Sequence, residues 1–186
     1  MLELKIGAKH AYSNSREQFI DIKETTIRLE HSLVSISKWE SKYQRPFISD
    51  NNKTKEEIID YIRFMTITQN VDPDVFETLS KEELKIINDY ISSPMTATKF
   101  YENKAEGNLP LRKKEIITSE LIYYWMISFG IPIEKEKIHL NRLLTLIRIC
   151  SVKEKEAHGK KMSRREVLSQ NKALNAARRK KYNTRG

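Results

Sequence analysis

The chain has 186 residues with 39% apolar and 32% charged residues, enough for one domain with a true core and a heavily charged surface. It carries a net charge of +9 and a single cysteine, which excludes an intrachain disulfide framework and a zinc site built from several cysteines. The excess charge is uneven: residues 153–186 hold 12 Lys and Arg against 3 Glu, and residues 1–152 hold 22 of each sign. The body is neutral and the tail is basic, so the tail poses a separate functional question.

Taken in chain order, residues 1–30 read as β-structure. Leu2, Leu4 and Ile6 alternate with Glu3 and Lys5, the period of a half-buried strand. Gly7–Arg16 reads as polar and turn-rich, and Phe19–Ile22 and Thr25–Leu29 give two further short strands. A lone hairpin is marginal in water, so this part must lean on helices.

The period changes at His31–Tyr43, where Leu33, Ile36, Trp39 and Tyr43 form a helical stripe that Pro46 brings to a stop. Ile48–Lys53 reads as a loop. Thr54 and Glu57 then make a capping box for a helix to about Thr66 that buries Ile58, Tyr61, Ile62 and Met65. Asp72-Pro73 opens a short helix over Pro73–Leu79. Ser80 and Glu83 repeat the box for a helix buried through Leu84, Ile87 and Ile91, and Pro94 closes it. Met95–Tyr101 reads as a strand or an extended connector, and Glu102–Lys114 as a mobile loop.

Glu115–Cys150 is the most apolar stretch and reads as two helices about a Gly130-Ile131-Pro132 connection. Thr118 or Ser119 caps the first, Gly130 suits its C′ position, and Pro132 begins the second, which carries Ile138, Leu140, Leu143, Leu144, Ile147 and Ile149. The first helix is apolar nearly all round, so it should be surrounded by the chain or by a partner, as the core of the fold. Cys150 reads as a buried apolar thiol. Ser151–Lys161 reads as a charged linker, and Ser163 caps a helix to Lys181 that is too polar to form its own core. The expected fold is α+β and mostly α-helical: an N-terminal β-hairpin or small antiparallel sheet packed on a helical bundle over residues 1–152, and a basic helical arm over residues 153–186.

The chain carries little that suggests catalysis. Asp72 and Asp74 flank a helix start and read as capping residues. Glu136 and His139 could approach one metal, yet no HExxH-type set accompanies them, and His139 reads as a structural or surface residue. There is no phosphate-cradling glycine loop and no GxSxG element. The expectation is therefore no enzyme, no cofactor and no metal. The longest near-uniform apolar run, Leu121–Ile133, has 13 residues, short of the ~20 a membrane span needs, and the N-terminus lacks a signal-peptide core. In the arm, Arg164, Arg165, Lys172, Arg178, Arg179, Lys180 and Lys181 could contact phosphates, but Tyr182 is its one aromatic residue. An acidic protein or solvent is therefore the preferred partner over nucleic acid.

Several stretches resemble a family from tailed bacteriophages, the tail assembly chaperones: Arg28–Phe47, Asp60–Pro73, Ile91–Phe100, Ile117–Pro132, His139–Cys150 and Lys160–Lys181. The resemblance implies a non-enzymatic protein of the host cytoplasm that coats the long, apolar tape measure protein before the tail polymerises, with homo-oligomers among its forms. Trp39, Tyr123, Tyr124 and Trp125 are the candidate protein-interaction anchors, in the core or at an interface. A structural protein of the tail or head–tail junction, retained in the virion, is the alternative; a nucleic-acid-binding protein working through the arm is the second.

Overall fold

The order of elements is β1 (Leu2–Ile6), β2 (Lys9–Ser13), β3 (Gln18–Ile22), β4 (Thr25–Leu29), α1 (Leu33–Tyr43), α2 (Lys55–Met65), α3 (Pro73–Glu77), α4 (Lys81–Ser92), α5 (Ser119–Ser128) and α6 (Leu140–His158). A 3-10 turn, Ile133–Lys137, lies between the last two helices. This computed structural model describes residues 1–13, 16–100 and 116–158, together with eight single positions between 168 and 182. The fold is α+β and mostly helical, and it divides into two compact units, Met1–Arg148 and Ile149–Gly186.

In the first unit β1 pairs with β4 and β2 with β3, both antiparallel. One register runs through both pairs, from Leu2 opposite Leu29 to Ser13 opposite Gln18, with partner numbers always summing to 31. The four strands are therefore two halves of a single long ribbon, interrupted at residues 7–8 and 23–24. Gly7–Arg16, expected as a turn, contains β2. Its Lys9–Ser13 run lacks the β-branched residues that announce a strand, and cross-strand pairing supplies the order instead.

Alternation sends Leu4, Ile6, Ile27 and Leu29 inward and leaves Glu3, Lys5 and Arg28 outward. The outer edge of β4 is taken by the chain after α2: the Ile67 amide donates to the Arg28 carbonyl at 2.8 Å, and the Arg28 amide to Thr68 Oγ1 at 2.9 Å. The distal half of the ribbon is pinned from one face. Lys9 reaches the Thr78 carbonyl at 2.6 Å and Glu83 at 3.2 Å, and Ser13 Oγ donates to buried Asp74 at 2.8 Å.

The helices begin where their caps lie. Thr54 and Glu57 close a capping box on α2, Ser80 and Glu83 one on α4, and Ser32 and Ser35 one on α1. Burial, however, departs from the expected stripes in two helices. On α2 Ile58 is exposed while Tyr61, Ile62 and Met65 are buried. On α4 Ile87 and Tyr90 are buried, and Leu84 and Ile91 only half so. Residues 95–100 form no strand and are a connector. The expected loop Glu102–Lys114 lies outside the described residues.

Helix α1 packs on α2 and α5 and closes Leu33, Ile36 and Trp39 to solvent; Ile6, Ile27 and Leu29 of the ribbon, Ile62 and Met65 of α2 and Leu143 of α6 are the other enclosed core side chains. Trp39 is 0% exposed, lies with its ring centroid 4.8 Å from the tilted Tyr43 ring and 5.2 Å from the edge-on Phe47 ring, and donates from Nε1 to the Glu57 carbonyl at 3.1 Å. Two corrections concern the apolar pair of helices. The second does not start at Pro132: the 3-10 turn follows that proline, and α6 starts at Leu140 and runs through the expected linker to His158. Cys150 is half-buried where a buried thiol was expected. The predicted start at Ser163 lies outside the described residues, while Leu168, Ser169, Asn171, Lys172, Asn175, Arg178, Arg179 and Tyr182 are helical and exposed.

Candidate functional site

Helix α5 decides the most about function. Thr118 caps it, its side chain accepting from the Leu121 amide at 3.4 Å. A buried carboxylate from α1 ties down the same end, since Glu40 accepts from the Ser119 amide at 2.7 Å and from the Phe47 amide at 2.8 Å. At the other end Gly130 takes φ +62°, and Ile131 and Gly130 donate to the Met126 and Ile127 carbonyls at 2.8 and 3.1 Å. That is a Schellman close, and it requires the left-handed residue glycine supplies.

Held at both ends, α5 buries only Ser119, Ile122 and Met126. The expectation that this helix is enclosed as the core is therefore corrected. Its other face is open: Tyr124 is 63% and Ile127 73% exposed, and Leu121, Trp125 and Phe129 are half-buried. Ile116 before the helix and Ile133 after it are 61% and 49% exposed. Four large apolar side chains are thus exposed on α5 and the segments that flank it.

The sequence-predicted anchors separate accordingly. Trp39 takes its core alternative and reaches no surface. Tyr123 is half-buried, and its hydroxyl donates to Glu136 at 2.7 Å, so burial and that bond raise its pKa. Tyr124 is presented outward, and Trp125 partly so. Ile127, the most exposed of the group, was missed because an isoleucine in an apolar run reads as core. Lys172, Arg178 and Arg179 are exposed on the arm; Arg164, Arg165, Lys180 and Lys181 lie outside the described residues.

A second polar feature is buried where β4, α1, α2, α4 and α6 meet. His31 Nδ1 lies 2.5 Å from the Tyr61 hydroxyl, and its ring centroid is 5.1 Å from that of His139. His139 Nε2 lies 3.1 Å from the Tyr90 carbonyl, and its Nδ1 accepts from the Asn141 amide at 3.3 Å. A carbonyl only accepts and an amide N–H only donates, so these two bonds select the neutral imidazole protonated at Nε2. Tyr90 in turn donates to Glu30 at 2.7 Å, and Glu30 meets the Met1 amino group at 2.9 Å. Burial, and then the neighbouring His139, push the pKa of His31 down to about 3, and burial lowers His139 against the pull of the Tyr90 carbonyl. His139 is thus a buried structural residue, and Glu136 is turned to Tyr123.

A cleft of about 690 Å³ is lined by Lys42, Tyr43, Lys55, Ile59, Asp60 and Arg63 among others. Its half-buried carboxylate, Asp60, is already engaged. Asp60 accepts from Lys42, from Tyr43 at 2.6 Å and from Arg63 at 3.3 Å. Burial alone would raise Asp60, but the hydrogen bonds from Lys42 and Tyr43 outweigh it and hold the carboxyl below its ordinary range. Asp72 accepts from the Asp74 amide at 3.0 Å as the cap of α3, while Asp74 is turned to Ser13 and to Arg16 Nε at 2.8 Å. Among the described residues no three His, Cys, Asp or Glu side chains converge on a metal position, and no helix is long and apolar enough to cross a membrane. No family model, curated protein or solved structure matches the chain.

Proposed function

We propose that this protein is a tail assembly chaperone of a tailed bacteriophage, binding the tape measure protein in the host cytoplasm and performing no chemical step. The observation that carries the reading is the open apolar face of α5 with Tyr124 and Ile127, on a helix fixed at both ends. It coincides with Ile117–Pro132, one of the stretches that resembles the chaperone family. A holding chaperone needs such a surface, displayed on a frame stable without the client.

Co-expression with the tape measure protein of the same phage tests the proposal. The client is expected in the soluble fraction, co-purifying with this chain; a client that stays insoluble refutes it. Mass spectrometry of purified virions distinguishes the structural alternative, because a chaperone is absent from finished particles and a building block is retained at fixed stoichiometry.

A further inference from the structure

The basic arm carries a polar row of its own. Asn171, Lys172, Asn175, Arg178 and Arg179 are helical and exposed. Asn171, Asn175 and Arg178 stand at i, i+4 and i+7, one above another on a single face. Lys172 and Arg179 each follow an end of that row by one position and make a second row beside it. Residues 167–186 hold six Lys and Arg, and no Asp or Glu follows Glu166. No carboxylate of the same segment offsets these charges.

Charge complementarity calls for a polyanion. The two asparagines decide which kind. A carboxylate surface only accepts hydrogen bonds, so an acidic protein would satisfy the lysine and the arginines and leave both amide oxygens unmatched. The edge of a base pair presents donors and acceptors together, and an adenine edge takes both groups of an asparagine amide. The row also lacks the apolar anchors on which a protein groove closes. Tyr182 is the one aromatic residue of the arm, which counts against a single strand, whose bases need stacking, and not against a duplex. The major groove of duplex RNA is too narrow for a helix, whereas that of B-DNA, about 12 Å wide, admits one. The span fits as well: from Asn171 to Arg178 the helical rise is about 10 Å, the length of about three base pairs.

We infer that the arm is a DNA-binding helix. It lies in the major groove of a duplex with Asn171, Asn175 and Arg178 toward the base edges and Lys172 and Arg179 on the phosphates of one flank. Such binding is independent of what α5 holds.

The test follows fluorescence anisotropy of labelled DNA duplexes of about 20 base pairs with the full-length chain, between about 50 and 200 mM salt. Duplex binding is expected, with log affinity falling against log salt at a slope between about −2 and −5, the range from two phosphate contacts to all six cations. Lys172→Ala with Arg179→Ala should flatten that slope by about 2 and weaken every duplex alike, about tenfold or more near 100 mM salt. Asn171→Ala with Asn175→Ala should keep the slope and reduce the preference for a duplex selected from a randomised pool about fivefold or more. Circular dichroism should show unchanged helix content in each variant, because alanine favours the helix. Lys5→Ala and Lys85→Ala, at exposed cations of the body, should change nothing. A slope unmoved by Lys172→Ala with Arg179→Ala, no binding at about 50 mM salt, or a single strand or polyglutamate held as tightly as the duplex overturns the inference. So does a wild-type chain that binds every duplex sequence equally, since phosphates alone would then be touched. None of these outcomes bears on the chaperone reading, which is decided by capture of the tape measure protein.

Discussion

Acid should unfold this protein earlier than its carboxylates alone would require, and His31 is the reason. The side chain is held neutral between Tyr61 and His139, with Tyr90, Glu30 and the Met1 amino group as the next titratable neighbours. Its pKa is about 3 in the folded chain against 6.5 for a free histidine. Between those values the unfolded chain binds a proton that the native chain does not, so stability is complete above pH 6.5 and falls as the pH drops toward 3. From pH 7.5 to pH 5 the loss from this one group is about 2 kcal/mol, since 1.36 kcal/mol attaches to each unit of difference and roughly one and a half units are traversed. His139, lowered in the same direction, adds to the effect. Urea unfolding followed by circular dichroism at several pH values measures it. His31→Asn supplies the comparison, because its amide oxygen can take the Tyr61 hydrogen bond and does not titrate. The variant should be less stable than wild type at pH 7.5, and the gap should shrink by about 2 kcal/mol at pH 5. The carboxylates held low, Asp60 and Glu83, act mainly below that range and equally in both proteins. Parallel stability curves for the two proteins between pH 7.5 and 5 would refute the reasoning.

Three further outcomes follow from packing and backbone geometry. Trp39→Ala should lose about 3–5 kcal/mol in urea unfolding, because removing a fully enclosed indole leaves a cavity and breaks its bond to the Glu57 carbonyl. Gly130→Ala should cost about 1–2 kcal/mol and Gly7→Ala less than about 0.5, although a Cβ finds open space at both; only Gly130 has a positive φ, and thermal melts will separate the two. Glu40→Ala should cost about 2 kcal/mol or more by orphaning the Ser119 and Phe47 amides, and Glu40→Gln, which keeps an acceptor oxygen, should recover part of the loss in the same melts.

Local signals in the sequence determined the starts of α2 and α4 and the end of α5, though not the start of α6. Thr54 with Glu57 and Ser80 with Glu83 cap where they stand because an N-cap hydroxyl satisfies amides only three residues away, and Gly130 ends α5 for an equally local reason. The alternation of Leu2–Ile6 with Thr25–Leu29 likewise made the inner half of the ribbon legible. Strand β2 was not, because His10, Ala11 and Tyr12 become a strand through partners that lie 7 to 11 residues further along, from Phe19 to Asp21. Neither was the side of α5 that faces inward. Seven of its ten residues are apolar, so periodicity marks no face, and only the positions of α1 and its Glu40 carboxylate select Ile122 and Met126 for burial and leave Tyr124 and Ile127 outside. The pairing of His31 with His139, 108 positions apart, is of the same kind: neither residue announces it, and it exists because the Leu140 amide meets the His31 carbonyl at 2.7 Å and brings the start of α6 against the start of α1. What depended on neighbours within a turn or two was written in the chain; what depended on which surfaces meet, the open face of α5 and the neutral histidines included, was decided by tertiary packing alone.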